Sequence, residues 1–98
     1  MVARALLRRR VIVAADAFVD LVVWDVPNPV PPSWHGFKYR LAYVVAGDCV
    51  LRYDNERGKG DHRHFGARVT HYRFSSPERL MEDFLADVER WNREHRRS

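Results

Sequence analysis

Cysteine is nearly absent: the single Cys49 leaves no internal disulfide to staple the chain, and a reducing compartment is its natural setting. Lysine is almost as scarce, at two of 17 basic residues. No apolar run approaches the roughly twenty residues that span a bilayer. The most apolar stretch, residues 11–23, is interrupted by Asp16 and Asp20. Arg8, Arg9 and Arg10 precede a segment too short and too charged for a signal-peptide core. These absences point to a cytoplasmic protein with no membrane partner. There is no internal repeat and no phosphate-loop signature of the Gly-x4-Gly-Lys-Ser/Thr type, so nucleotide binding of that kind is excluded.

What remains is a small core and a skewed charge. At 98 residues the expected organisation is a single domain, 1–98, which buries only about 60–65% of the surface its unfolded form exposes. The hydrophobic fraction of 46%, with three Trp, four Tyr and five Phe, excludes a disordered tail or a coiled coil. The formal net charge is +4, carried almost wholly by arginine, whose planar fork suits phosphate and carboxylate. Residues 1–10 form a basic N-terminal segment with four Arg and no acid, and residues 55–74 are a second basic stretch. Such segments point to a polyanionic partner, although a solvated arginine-rich surface would read the same way.

Strands come first and a helix last. β-branched residues on either side of Ala14-Ala15-Asp16 predict a hairpin between about Arg10 and Trp24. Pro27, Pro29, Pro31 and Pro32 make a stiff connection that cannot pair inside a sheet. The alternation of Phe37, Tyr39, Leu41, Tyr43 and Val45 predicts a strand, with Gly47-Asp48 as its hairpin loop and Cys49–Tyr53 returning. A two-residue loop gives opposed positions opposite parity, so Arg52 and Asp54 are expected beside Tyr39 and Leu41, and Tyr53 beside Lys38 and Arg40. Cys49 reads as a small core residue, and residues 55–60 as a loop. Two short strands follow, at about 62–65 and 69–74. Ser76 then caps a helix within 77–95 whose stripe is Leu80, Met81, Phe84, Leu85, Val88 and Trp91, with Asp83 and Asp87 on the solvent side. The expected fold is therefore α+β: an antiparallel β-sheet of about five strands with one C-terminal α-helix packed on one face. One helix covers only one face, so the other must be polar or covered by another chain.

The densest polar segment is Arg52 to His64, with four cations, three acids and two imidazoles. In an extended segment His62 and His64 project to one side. Their ordinary pKa of about 6.5 suits a general base and a general acid at neutral pH. Lys59 and Arg57 would stabilise charge developing on a phosphoryl group, and Asp61 would orient an imidazole. Arg52 and Arg63 would hold flanking phosphates, and Tyr53 would stack a base. Gly58 and Gly60 would let backbone N–H groups approach a phosphate. This is equipment for metal-independent RNA cleavage by attack of the 2′-OH on its own phosphodiester, with no cofactor. The same residues leave other readings open. One is a non-catalytic RNA- or protein-binding module. Another is a metal-dependent nuclease on Asp61, His62 and His64, completed by His71 or His35. The plainest is a solvated loop.

The run Phe37-Lys38-Tyr39-Arg40-Leu41-Ala42-Tyr43-Val44, followed by Leu51-Arg52-Tyr53-Asp54-Asn55-Glu56 and Gly58-Lys59-Gly60-Asp61-His62-Arg63-His64, resembles the TumE family of bacterial toxins. Tyr72-x-Phe74 and the helix carrying Leu80, Asp83 and Phe84 are similar too, and the likeness runs from about Val11 to Trp91. The resemblance implies a toxin encoded beside a helix-turn-helix antitoxin; the residue roles rest on the chemistry above. A thin core and an uncovered sheet face favour a homodimer or a tight complex with that antitoxin.

Overall fold

Alternating β-branched, aromatic and polar residues fill the first two thirds of the chain. In the computed structural model, which describes residues 2–97, they fold into six strands. Met1 and Ser98, the ends of the expected domain, lie outside the described residues. The strands are β1 (Arg4–Ala14), β2 (Ala17–Asp25), β3 (Phe37–Val45), β4 (Asp48–Glu56), β5 (Gly60–Phe65) and β6 (Arg68–His71). They form one antiparallel sheet in the order β1-β2-β3-β4-β5-β6, followed by the helix α1 (Pro77–Glu94). The expected architecture therefore holds, with one strand more. The basic N-terminal segment lengthens the first strand of the expected hairpin, pairing with β2 from Arg4 onward.

The helix begins where its cap dictates. Ser76 Oγ accepts the N–H of Arg79 at 3.1 Å, Pro77 occupies the first turn and Glu78 meets the positive end of the helix dipole. Its buried positions are Leu80, Phe84, Asp87 and Trp91, a spacing of four, three and four that keeps one face on the sheet. Beneath them lie Val19, Leu21, Tyr39, Leu41, Tyr43, Leu51 and Tyr53. Asp87 thus belongs to the buried stripe, against the expectation that it faces solvent. It is tolerated there because Arg63 donates to both carboxylate oxygens, at 2.6 and 2.8 Å, and Tyr53 OH donates at 2.5 Å. Asp83 is also engaged, accepting from Tyr72 OH at 2.7 Å.

The register of β3 against β4 reverses the expected parity. The loop is Ala46-Gly47, both at positive φ, and Val45 faces Asp48. A bulge then intervenes: Val44 faces Cys49 but Tyr43 faces Leu51, leaving Val50 as the extra residue. Beyond the bulge Leu41 faces Tyr53, Ala42 faces Arg52 and Arg40 faces Asp54. Tyr53 consequently shares the helix face with Tyr39, while Arg52 and Asp54 share the open face with Lys38 and Arg40. Cys49, beside the turn, is exposed rather than part of the core.

Candidate functional site

On the open face, the registers of all five strand pairs bring polar residues into two rows running across the sheet. One row reads Arg8, Val22, Arg40, Asp54, His62, His71 from β1 to β6. Its neighbour reads Arg10, Asp20, Ala42, Arg52, His64, Val69. Near the β4–β6 end the rows enclose a cleft of about 130 Å³ lined by Arg52, Asp54, His62 and His64, with Glu56, Lys59 and Val69 at its margin. That volume suits a phosphate and a few waters rather than a whole nucleotide.

The imidazoles differ in setting. His64 Nε2 lies 3.1 Å from Arg52 Nη2. A guanidinium only donates, so this nitrogen is the unprotonated one. Burial, then the charge of Arg52, pushes the His64 pKa below its ordinary value, with His62 adding to the effect and Asp54 and Glu56 opposing it. His64 is therefore neutral at pH 7. His62 Nδ1 lies 3.2 Å from the carbonyl of Gly60, an acceptor, so Nδ1 carries a proton and Nε2 faces outward from that contact. The His71 ring stands 5.1 Å from that of His62. Asp54 is 5% exposed, with one oxygen 3.2 Å from Arg52 Nε and the other 4.0 Å from His64 Nε2. The Arg52 Nε contact is an ion pair without hydrogen-bond alignment, since that buried N–H has no aligned acceptor.

Of the residues expected from the sequence, Arg52, Lys59, His62 and His64 converge on the cleft. Lys59 does so from an exposed position, 3.5 Å from Glu56. Arg57 is exposed in the three-residue turn between β4 and β5 and does not line the cleft. Three assignments need correction. Tyr53 is 1% exposed beneath the helix and hydrogen-bonded to Asp87, so it has no face to offer a base. Arg63 lies on the helix side, its Nε and Nη2 engaged by Asp87 and Tyr53 OH, and does not line the cleft. Asp61 points to the helix side, where it accepts from Ser33, from His35 Nε2 at 2.7 Å and from Tyr39 OH at 2.6 Å. It cannot orient His62 or His64 from there.

That Asp61 cluster is structural. His35 Nδ1 accepts the N–H of Phe37 at 3.2 Å, its ring stacks on Phe74 at 3.8 Å, and Asn55 bonds the backbone of Phe37 and Tyr39. Together these groups anchor the proline-rich connection between β2 and β3 to β4 and β5. The glycines serve the same end. Gly58 N–H donates to the carbonyl of Pro31 at 2.8 Å, and a side chain at Gly60 would meet Pro32 at 3.2 Å. Their backbone is therefore spent on the fold rather than opened to a phosphate. Asp61, His62 and His64 also fail to converge as metal ligands, and among the described residues no three His, Cys, Asp or Glu side chains form a metal-holding group. The residue that sequence reasoning missed is Asp54, which the β4–β5 register sets opposite His62 and within 4.0 Å of His64 Nε2.

A family model described as Toxin TumE matches residues 2–92, which includes the arginine-rich start of β1, the part outside the sequence resemblance. No curated protein and no solved structure matches the chain. No helix is long and apolar enough to cross a membrane.

Proposed function

The chain belongs to the TumE toxin family, and from that premise and the imidazole cleft we propose that it cuts RNA without a metal ion, as the toxin of a toxin–antitoxin pair. The observation that carries the proposal is the pairing of His64, held neutral by burial and by Arg52, with His62 two residues along the same strand face. Two such positions stand about 7 Å apart, enough to straddle one phosphodiester. Arg52 leaves His64 for the arriving phosphate, which frees Nε2 to take the proton of the 2′-OH. The 2′-oxygen bonds to phosphorus, the bond from phosphorus to the 5′-oxygen breaks, and His62, entering doubly protonated with Nδ1–H on Gly60, delivers its Nε2 proton to that leaving oxygen. Arg52, with Lys59 at the margin, stabilises the charge on the equatorial oxygens. The products are a 2′,3′-cyclic phosphate and a 5′-hydroxyl.

The test is purified protein on total RNA in the presence of a chelator, with end-group analysis of the fragments. Cyclic phosphate ends, lost in His62→Ala and His64→Ala, support the proposal. Intact RNA, activity that needs a divalent ion, or unaffected variants overturn it. The antitoxin partner follows from the family; its helix-turn-helix type is part of the proposal, as is an acidic surface able to cover the cations of the open face.

A further inference from the structure

The cleft by itself carries little net charge. Asp54 and Glu56 offset Arg52 and Lys59, and Asp54 holds Arg52 at 3.2 Å. A polyanion therefore needs anchorage outside it, and the sheet provides a place in line with the imidazoles. Arg40 and Arg8 stand in the same cross-strand row as His62, separated from one another only by Val22. Both are exposed, and among the described residues neither makes an ion pair or a side-chain hydrogen bond. By contrast Arg10, in the next row, is held by Asp20 at 2.6 and 2.9 Å and lies over the Phe18 ring. Arg8 and Arg40 also line one depression of about 340 Å³ on this face. With strands about 4.8 Å apart, β1 to β5 spans roughly 19 Å, a footprint of about four nucleotides.

We infer that single-stranded RNA lies across the open face at right angles to the strands, its backbone running from the His62–His64 cleft over Arg40 to Arg8. The inference rests on the ribonuclease reading and adds the path of the substrate. Arg8 and Arg40 contribute charge rather than stacking; of the rings on this face, Phe18 is covered by Arg10 and Trp24, opposite Lys38, is partly buried. Binding through Arg8 and Arg40 is therefore binding to phosphates, tolerant of base sequence and steep in salt.

The experiment uses a fluorescent 2′-O-methyl oligouridylate of about twelve nucleotides, which cannot be cut, so that affinity is read apart from chemistry. Arg8→Ala/Arg40→Ala is compared with Arg90→Ala/Arg93→Ala, which removes the same charge from the helix. The first variant should lose affinity, and its slope of log affinity against log salt should fall by about 1.4, while the helix variant stays near wild type. In parallel, cleavage of long RNA should slow in Arg8→Ala/Arg40→Ala and cleavage of a dinucleotide should not. Equal slopes in wild type and Arg8→Ala/Arg40→Ala overturn the path, even if RNA is cut normally. Loss of antitoxin affinity with RNA affinity intact overturns it too, and gives the surface to the protein partner. If wild type cuts nothing but the slope falls as stated, the path stands and the ribonuclease reading falls.

Discussion

His64 is the residue whose environment most shapes the site, because the guanidinium of Arg52 acts on it directly. Its pKa lies below the ordinary imidazole value through burial and then Arg52. Removing that cation relieves the repulsion of a proton and leaves Asp54 facing the ring. Arg52→Ala should therefore raise the His64 pKa, which a pH titration of the imidazole resonances by NMR reads directly; a fall or no change would contradict the geometry. The same sign governs stability. A group whose folded pKa is depressed binds fewer protons folded than unfolded, so its contribution is present above about pH 6.5 and lost as the pH falls through the imidazole range. His62→Ala and His64→Ala should each slow RNA cleavage by about 10²- to 10⁴-fold with an unchanged circular dichroism spectrum. The histidine pair was legible from strand alternation alone. So was the misfit of Asp61: as the neighbour of His62 in an extended segment it must point the other way. Asp54 was not legible, because its place opposite His62 depends on how the turn at residues 57–59 sets β4 against β5.

At the scale of elements, the join between α1 and β5 is polar. Arg63 from the strand and Asp87 from the helix meet in a two-point ion pair that Tyr53 OH completes, with the Arg63 side chain 25% exposed. Asp87→Ala strands a largely buried guanidinium and should cost about 2–3 kcal/mol in urea denaturation, somewhat below the loss for a fully buried pair. Arg63→Met/Asp87→Leu should recover most of that loss. RNA affinity of the folded double variant should be unchanged, which separates this pair from a phosphate contact. Ser76→Ala should cost about 1 kcal/mol by removing the cap. The helix start was legible to the residue because cap and first-turn proline agree; its end, expected by residue 95, falls at Glu94, and Asp87 rather than Leu85 completes the buried stripe. The β3–β4 register was not. The two-residue loop was recognisable in length, but the parity of every later position depends on Val50, a bulge residue with no marker in an apolar strand. That one residue moved Tyr53 from the expected open face to the core and Arg52 from the core face to the cleft.

At the scale of the whole molecule, charge and cover are divided between two faces. The helix seals one, while the other presents the imidazoles and the arginine rows. An antitoxin that covers the open face by complementary charge should bind less tightly as salt rises, measured by calorimetry between low and physiological ionic strength, and should compete with RNA. The sheet also ends on β1, an eleven-residue strand whose outer side has no partner among the described residues. The midpoint of Arg4–Ala14 is Arg9. Two such strands zipped head-to-tail over their full length would set Arg8, Arg9 and Arg10 of one copy directly against Arg10, Arg9 and Arg8 of the other, a clash of like charges. In such a pairing the arginines would act as bumpers against fusion of the two sheets. Concentrated salt would quiet them, so the isolated protein should scatter more light, not less, as the buffer is made saltier.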